Sequence, residues 1–474
     1  MYSSITFKKL ADWTGGILSD RGEGEFSVDS LSTDSRTLKS GDVFLALKGE
    51  SFDGNLFIQE AAKRGARGVI TESPEPVAIP KIQVKDGLAS LISIGENLRK
   101  LFLGEVFAMT GSAGKSSTKD MVAVLLGENT VSSPASFNNL MGVSRTLCLV
   151  KDSTQKLVLE MGMNQFGEIA ELCRRFQPHY AMITNIGDAH IGKLGGQEGI
   201  FRAKKEMFDF LSQFPQAKGL ALNADDPWVM EAFKQNFPSS RDSKIKVLTY
   251  SKNEKTADVF LAHQEMDSNS GFLNLQIRIG SDAKEELAVS LPIFGEHHAQ
   301  NIIAAIAMVR LANVSVADIR QRISKIQPAS HRGEIRLLSQ NKIVIDETYN
   351  SNPKALKSSL DSLKKLALNK RKVLVLGEMR ELGPFSSALH DEIGFYLADW
   401  VKQGHPSLLL VTVQGDAKKI SERLSSLCPQ IETHHFDQVQ QATQFVNQQL
   451  KPEDIVFLKG SRGVKLETVL ASLK

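Results

Sequence analysis

Apolar and polar positions follow patterns that change twice along the chain, which divides it into three segments. In the first, residues 1–103, short strand-like runs such as 42–47 are mixed with helix-like stretches at 57–64 and 88–101. This mixture predicts a small α/β domain at the N-terminus.

The second segment, residues 104–327, contains apolar runs that end in small or polar residues and lead into helix-like stretches. The clearest of these runs lie at 106–109, 157–159 and 181–183. Strands that are buried on both faces have such continuous apolar runs, so the pattern predicts a mostly parallel sheet.

The third segment, residues 328–474, repeats the alternation of strand and helix. Its apolar runs lie at 343–345, 373–376, 408–413 and 455–458, and a helix-like stretch follows each of them. A Rossmann-like C-terminal domain is therefore predicted, and the whole chain is predicted to be an α/β protein of three domains.

Composition agrees with this organisation and narrows the choice of partners. With 474 residues, of which 42% are hydrophobic, the chain is too long for one core and fits about three domains. The 57 basic and 54 acidic residues give a net charge of +3, which offers no electrostatic case for binding nucleic acid or an anionic membrane.

The cysteines indicate the redox environment in which the protein works. Cys148, Cys173 and Cys428 are far apart, odd in number and without a CxxC spacing, which argues against a disulfide framework and for a reducing cytoplasm. No apolar stretch approaches the roughly 18 residues of a membrane span, and the first residues lack a signal-peptide core. A soluble cytoplasmic protein is predicted.

The strongest chemical signal is a glycine-rich loop between a predicted strand and a helix that is predicted to run to about Gly127. The loop consists of Gly111, Ser112, Ala113, Gly114, Lys115, Ser116 and Ser117. Its glycines let backbone N–H groups approach phosphate oxygens, Lys115 neutralises charge, and the Ser116 hydroxyl can ligate magnesium. It is the short GxxGK[ST] form, since Met109 stands where the longer form has glycine. ATP binding is predicted, and a glycine-rich turn without ligand is the alternative.

This short loop, with Thr110 before it and Lys119 after it, resembles the phosphate loop of the Mur ligase family. The resemblance then extends over nearly the whole chain. It implies a small N-terminal domain for a UDP-sugar, a central P-loop ATPase-like domain with a parallel sheet, and a C-terminal Rossmann-like domain. It also implies that ATP phosphorylates a carboxyl group, that an amine attacks the acyl phosphate, and that ADP and phosphate leave.

Three further positions match the family's magnesium-binding residues. Glu160 ends a strand-like run, where a carboxylate can reach a metal at the phosphate loop, although a glutamate after a strand is more often a solvated or capping residue. His190 follows the run 184–189, just beyond an apolar strand. The Ala-Lys-x-Glu frame selects Lys204, although the adjacent Lys205 allows an error of one residue.

The resemblance implies two magnesium ions, with ligands from Ser116, Glu160, His190 and Lys204. The family's counterpart of Lys204 is carbamylated, which replaces an ammonium with an oxygen ligand. Burial or the charge of a nearby metal must first favour the neutral amine, because the ordinary pKa of lysine is about 10.4. An exposed helix lysine is the alternative.

The run 295–301 resembles the family's segment beside the adenine. His297 matches the family, and Asn301 is the candidate for contacting the base edge. His298 stands where the family usually has asparagine, and a helix start with polar caps is an equally good interpretation there.

Two neighbouring runs resemble contacts to the nucleotide and to the incoming amine. Arg332 would approach the phosphates like an arginine finger, and Asp346 would contact the nucleotide. The run 349–353, Tyr-Asn-Ser-Asn-Pro, resembles the branch of the family that adds D-alanyl-D-alanine to UDP-N-acetylmuramoyl-tripeptide. Tyr349 and Asn350 would lie near the dipeptide, although without the resemblance a strand-to-helix turn explains the run equally well.

Other matches concern substrate contacts. Ser35 and Arg36 resemble the UDP-sugar site, where hydroxyl and guanidinium groups suit diphosphate and uracil; a polar turn is the alternative. Asn138 and Asn139 resemble a substrate-contacting stretch, next to Ser136, where the family commonly has asparagine.

Two runs, 376–383 with His390 and 459–463, match the same branch of the family. Whether they contact ligand or only shape loops stays open, so they are left out of the predicted site.

The predicted partners are UDP-N-acetylmuramoyl-tripeptide and D-alanyl-D-alanine, with no nucleic acid and no membrane. A monomer is predicted, because three domains around one cleft need no second chain. The alternatives are another Mur-type or folylpolyglutamate-type ligase, or a non-catalytic ATP-binding protein. The presence of Lys115, Glu160, His190 and Lys204 together argues against the last, since packing alone would not require that set.

Overall fold

The fold was analysed in a computed structural model. The structure describes residues 1–19, 24–49, 52–187, 194–238, 245–280, 285–367, 369–404 and 407–473. The chain forms two compact units, one of Met1–Val259 with Ala304–Ile319 and the other of Phe260–Ile303 with Arg320–Lys474. Each is described by itself.

The first unit begins with a small sheet. Its strands are β1 (Ile17–Leu18), β2 (Leu31–Ser32), β3 (Val43–Leu45), β4 (Gly68–Thr71) and β5 (Lys81–Gln83), in the order β1-β5-β4-β3-β2. All neighbours are parallel except β1 and β5. The accompanying helices are Phe7–Thr14, Ile58–Lys63 and Gly87–Leu101. The Asp86 side chain caps the last of these by accepting from the backbone N–H of Ala89, which helps to place the predicted helix start.

A larger parallel sheet follows in the same unit. Its strands are β6 (Glu105–Thr110), β7 (Thr130–Ser132), β8 (Lys156–Glu160), β9 (Tyr180–Ile183), β10 (Gly219–Asn223) and β11 (Lys246–Ser251), in the order β7-β8-β6-β9-β10-β11. The chain order is broken at β6. The carboxyl ends of β6, β8 and β9 therefore meet at a topological switch point, the usual place for a ligand site in such sheets.

Helices connect these strands, as the alternating pattern predicts. They are Lys115–Leu126, Leu140–Leu147, Glu168–Phe176, Gln197–Gln213 and Pro227–Asn236. Two more helices, His298–Leu311 and Val316–Ile323, follow later in the chain.

One set of strands lies outside the predicted pattern. The chain forms β12 (Val259–Met266), β13 (Leu273–Ile279) and β14 (Glu285–Leu291), and β13 pairs with β14 antiparallel. Along β13, buried and more exposed side chains alternate, from Leu273 to Ile279. This period of two was present in the sequence and could have predicted the strand.

The third sheet belongs to the second unit. Its strands are β15 (Glu334–Leu337), β16 (Ile343–Glu347), β17 (Lys372–Gly377), β18 (Leu408–Val413), β19 (Glu432–Phe436) and β20 (Ile455–Lys459), in the order β15-β16-β20-β17-β18-β19. Only the edge strand β15 is antiparallel to its neighbour. The helices are Pro353–Lys365, Ser386–Lys402, Lys418–Leu427, Val439–Gln449 and Glu467–Ser472.

Two separate apolar cores line this sheet, as expected for helices on both faces. The first three helices contribute Leu360, Leu397 and Leu424 to one core, and the last two contribute Val446 and Val469 to the other. The predicted α/β class and the Rossmann-like character of this part are confirmed.

Two further predictions concern the cysteines and the membrane. Cys148, Cys173 and Cys428 are all buried and free. Burial raises the pKa of the Cys148 thiol to about 12. Among the described residues, no helix combines the length and the apolar character needed to cross a bilayer.

Candidate active site

The glycine-rich loop joins β6 to the helix Lys115–Leu126, as predicted. Gly114 adopts φ +79° at the start of the helix, a conformation that favours glycine. A Cβ atom on Gly111 would lie 1.9 Å from Thr184 Oγ1. The loop therefore requires glycine at both places, and it leaves the N-terminal N–H groups of the helix for an anion.

The segment after β9 holds this loop in place. Asn185 Oδ1 accepts from the Ala113 N–H at 2.9 Å, and Asn185 Nδ2 donates to the Ala113 carbonyl at 3.0 Å. The Ser112 hydroxyl accepts from the Gly187 N–H at 2.9 Å. These bonds rigidify the loop before any nucleotide arrives.

Two loop side chains are placed for phosphate and metal chemistry. Lys115 Nζ donates to the Gly111 carbonyl at 2.6 Å, so the ammonium lies within the loop. Ser116 is 7% exposed, and its hydroxyl oxygen lies 3.4 Å from that of Ser136.

Glu160 lies at the carboxyl end of β8, on the sheet edge that carries the loop, and is 1% exposed. Asn138 Nδ2 donates to Glu160 Oε1 at 3.0 Å. Oε2 is buried, and no described residue donates a hydrogen bond to it. A buried carboxylate oxygen without a donor is costly, and magnesium prefers such oxygen ligands, so this arrangement suits a magnesium ion.

Lys204 lies on the helix Gln197–Gln213 and is 2% exposed. Burial, together with the charge of Lys115, lowers its pKa to about 7. Its neighbour Lys205 instead pairs with Asp209 at 2.6 Å. The structure thus turns Lys204 inward, toward the charge of the phosphate loop, and not Lys205.

Glu206, two residues after Lys204, bonds to the start of a neighbouring helix. Its two carboxylate oxygens accept from the Gly167 and Ala170 N–H groups at 2.7 and 3.0 Å. These groups lie at the start of the helix Glu168–Phe176, so Glu206 caps that helix. His190, the remaining predicted metal ligand, lies outside the described residues.

In the second unit, Asp346 is fully buried in β16. Its Oδ1 accepts from the Thr348 N–H and hydroxyl at 3.0 and 2.7 Å, and its Oδ2 lies 2.7 Å from His331 Nδ1. Ligand atoms of His331, Glu334 and Asp346 also come within 4.8 Å of one another, a spacing that a metal ion could use. Asp346 therefore fixes the turn that precedes Arg332.

Arg332 and Tyr349, predicted from separate runs, are in contact. The guanidinium carbon of Arg332 lies 3.9 Å from the Tyr349 ring centroid, and that of Arg462 lies 5.4 Å from it. Next along the chain, Asn350 Oδ1 accepts from the Ser351 N–H at 2.8 Å. Two cationic groups thus converge on the ring of Tyr349, one of the two residues predicted to lie near the dipeptide.

The predicted adenine segment lies in the same unit. His298 is 3% exposed, and burial, with the charges of His297 and others, holds its pKa well below 6.5. Neither of its ring nitrogens has a hydrogen-bond partner among the described residues. The rings of His297 and His298 lie 4.2 Å apart, and Asn301 is half-buried on the helix His298–Leu311.

The predicted sugar-site residues have local partners. Arg36 is exposed and pairs with Asp34 at 2.7 Å, and this hydrogen bonding lowers the Asp34 pKa to about 2. Ser35 is 9% exposed. Asn139 caps the helix Leu140–Leu147 by accepting from the Gly142 N–H at 2.9 Å.

Three profiles of one protein family match successive parts of the chain. Profiles described as "Mur ligase family, catalytic domain", "Mur ligase middle domain" and "Mur ligase, glutamate ligase domain" match residues 27–97, 109–309 and 331–462. The chain belongs to the Mur ligase family, and the resemblance seen in its sequence is confirmed.

Its relatives include the UDP-N-acetylmuramoyl-tripeptide–D-alanyl-D-alanine ligase of Synechocystis, 30% identical over 95% of this chain and 92% of that protein. The ligase of the same name from Escherichia coli K12 is 30% identical over 82% and 83%. A crystal structure of MurF from Acinetobacter baumannii has a TM-score of 0.83 at 30% identity and covers 99% of this chain and 98% of that one. MurF from Thermotoga maritima, solved with ADP, is 24% identical with a TM-score of 0.72 over 94% and 96%, and shows the same fold.

Proposed function

We propose that this chain is an ATP-dependent, ADP-forming ligase that joins D-alanyl-D-alanine to UDP-N-acetylmuramoyl-tripeptide in peptidoglycan precursor synthesis. The observation that carries this proposal is the position of Glu160. It is a buried carboxylate, at the sheet edge that holds the phosphate loop, and one of its oxygens accepts no hydrogen bond from the described residues. The near full-length relatives with this activity support the choice of substrates.

The reaction has two steps. A carboxylate oxygen of the tripeptide attacks the γ-phosphorus of ATP, the bond to ADP breaks, and an acyl phosphate forms. The dipeptide amine then attacks the acyl carbon, phosphate leaves with the C–O bonding pair, and the amine proton passes to solvent. An α-amino group has a pKa of about 7.7–8.0, so positioning and charge neutralisation can replace a strong general base.

The phosphate loop and its surroundings hold the reacting groups. Backbone N–H groups of the loop and the Lys115 ammonium bind the ATP phosphates. Ser116, Glu160, His190 and a carbamylated Lys204 would hold two magnesium ions, which screen oxygen charges that otherwise repel the attacking carboxylate. The lowered pKa of Lys204, about 7, supplies the neutral amine that captures carbon dioxide.

The remaining predicted residues would bind the three substrates. His297 and Asn301 face the adenine, Asp346 contacts the nucleotide, and Arg332 neutralises the phosphates. Residues 1–103 bind the UDP-sugar, residues 104–327 bind ATP, and residues 328–474 bind the dipeptide. The sugar contacts are Ser35, Arg36, Asn138 and Asn139, and the dipeptide contacts are Tyr349 and Asn350.

Three further features belong to the proposal. The proposal includes a domain closure, because the phosphate loop and Arg332 belong to different units and both are assigned to the nucleotide. The enzyme acts as a monomer. It works in the cytoplasm, where its three cysteines stay free.

The test is phosphate release from ATP with the UDP-tripeptide, with and without D-alanyl-D-alanine. Lys204→Ala is compared with Lys205→Ala, a matched control whose parent side chain pairs with Asp209. Release that needs both substrates, collapses only in Lys204→Ala and returns in part with short carboxylic acids supports the proposal.

Other outcomes favour the alternatives. Release with another UDP-peptide, a single amino acid or a folate would keep the ligase chemistry and overturn the substrates. ATP binding without release under any of these conditions would indicate a non-catalytic protein.

A further inference from the structure

Lys119 is a buried cation beside the phosphate loop. The proposed mechanism assigns it no role. It lies on the helix that begins at Lys115 and is 1% exposed. Its ammonium donates to the carbonyls of Ser133 and Ala135, the latter at 3.0 Å, and lies 2.8 Å from Asp120 Oδ1. Backbone carbonyls therefore use two of the three N–H donors of this ammonium, and a carboxylate lies beside it.

The segment that Lys119 holds, residues 133–138, contacts two of the candidate metal ligands, Glu160 and Ser116. Ser133 Oγ accepts from the Glu160 N–H at 3.3 Å, and Asn138 Nδ2 donates to Glu160 Oε1 at 3.0 Å. Between them, the Ser136 hydroxyl oxygen lies 3.4 Å from that of Ser116. The segment therefore adjoins the carboxylate and the loop hydroxyl at the same time.

This segment needs an external anchor. Ala135 adopts φ +45°, a left-handed conformation that residues with a Cβ rarely occupy and that persists only where the surroundings enforce it. The hydrogen bond from Lys119 to the Ala135 carbonyl is such a constraint. Loss of the ammonium would let the segment relax and take Asn138 and Ser136 with it.

The state of Glu160 shows what the anchor achieves. Asn138 occupies Oε1, while Oε2 is buried without a donor among the described residues. A carboxylate held through one oxygen presents the other in a fixed direction. Groups that orient a metal ligand in this way typically change metal affinity about 10–100-fold when they are removed.

We propose that Lys119 is a positioning residue of the metal–phosphate site. It holds the carbonyls of Ser133 and Ala135, and so fixes the segment that orients Glu160 and adjoins Ser116. This inference rests on the proposed function, because it takes magnesium as the ion of the site.

The experiment compares Lys119→Met with a matched variant, Lys156→Met. Lys156 donates to the Leu126 carbonyl at 3.0 Å, at the other end of the same helix. Calorimetry measures ADP affinity with and without magnesium, and circular dichroism measures the melting temperature, so no turnover is needed. Without magnesium, we expect Lys119→Met to bind ADP with near wild-type affinity. Magnesium should raise the ADP affinity of this variant about tenfold less, or still less, than it raises that of wild type. Lys156→Met should keep the full gain in affinity from magnesium.

Lys119→Arg keeps the charge but places a bulkier guanidinium against the two carbonyls. We expect this variant to fold. Magnesium should raise its ADP affinity by an amount between the values for wild type and Lys119→Met. An unchanged gain in a folded Lys119→Met, or in Lys119→Arg if the first variant does not fold, overturns the proposal. So does an equal loss of affinity with and without magnesium. A wild-type protein whose ADP affinity ignores magnesium would instead overturn the proposed metal site, and the role of Lys119 with it.

Discussion

The ammonium nitrogen of Lys459 lies 2.9 Å from Oε2 of Glu347, and both side chains are buried. Burial raises the pKa of the Glu347 carboxyl, but Lys459 and other neighbours outweigh this effect and hold it below 4.5. Lys459 also donates to the Asn350 carbonyl at 3.2 Å. One cation therefore ties the carboxyl ends of β16 and β20 to the segment that we assign to the dipeptide.

Replacement of Lys459 by methionine should weaken dipeptide binding more than ATP binding. The change leaves Glu347 as an unpaired buried charge, which costs about 3–5 kcal/mol of stability, and it releases Asn350. Initial rates should show a higher KM for D-alanyl-D-alanine and little change in the KM for ATP. Lys372→Met is the control, because Lys372 is also buried but donates to the carbonyls of Ala367 and Lys370. Equal changes in both KM values would contradict the assignment.

Lys204 should make the stability of the metal-free protein depend on pH. Its pKa is about 7 when folded against an ordinary value of 10.5, so between these values the unfolded chain binds a proton that the folded chain does not. Stability therefore rises with pH across this window. Lys204→Met should be more stable than wild type at pH 7. Its free energy of unfolding should lack the increase with pH that Lys204 causes. Urea unfolding at pH 7 and pH 9, without bicarbonate, measures the stability and its change with pH. Lys205→Met is the control and should behave like wild type.

The phosphate loop could be predicted because its signal is local, whereas Glu160 and Lys204 were predicted as metal ligands from the family resemblance, and those roles stay predictions. A motif between an apolar strand and a helix identifies the loop, and strand ends place Glu160 on the same edge. The contacts of Lys119 and Asn185 could not be predicted in this way. Asn185 meets Ala113 across 72 positions of the chain, and Lys119 bonds to backbone carbonyls, which every residue type supplies.

Roles that packing decides were also hidden from the sequence. Asn139 was predicted as a substrate contact, and the structure shows its side chain capping a helix. In the sequence, only a four-residue frame favoured Lys204 over Lys205 as the candidate metal ligand. In the structure, Lys204 is the buried side chain, while Lys205 pairs with Asp209. The substrate role of Asn139 stays a prediction.

His390 should matter for stability and not for chemistry. It is fully buried, accepts from the Met379 N–H at 2.9 Å through Nε2, and lies 2.7 Å from the Ser386 carbonyl through Nδ1. His390→Leu leaves that N–H without an acceptor, so we expect a loss of about 1–3 kcal/mol. Denaturant unfolding measures the loss, and kcat/KM per folded molecule should stay near wild type. The exposed His263 gives a control, His263→Leu, with a change within about 0.5 kcal/mol. A large loss of kcat in a folded His390→Leu would instead indicate contact with ligand.

Gly111→Ala should damage nucleotide binding through a single methyl group. The new Cβ atom would lie 1.9 Å from Thr184 Oγ1, so the loop or the segment after β9 must shift. We expect ADP affinity to fall at least about tenfold, equivalent to about 1.4 kcal/mol. Gly187→Ala is the matched control, since its nearest neighbour, Ser112 Cβ, lies 3.6 Å away. Calorimetric titration with ADP compares the two variants, and similar affinities would show that the loop tolerates the methyl group.

The three cysteines have a practical consequence for the study of closure. Thiolates are the species that maleimides attack, and all three thiols are buried; the pKa of Cys148 is about 12. A surface cysteine introduced in each unit would therefore react with a fluorophore far faster than the native thiols do. The wild-type background can carry a donor–acceptor pair without prior removal of its own cysteines. Energy transfer between the dyes would then report any change in the distance between the two units when ATP and the UDP-tripeptide bind, and so test the proposed closure.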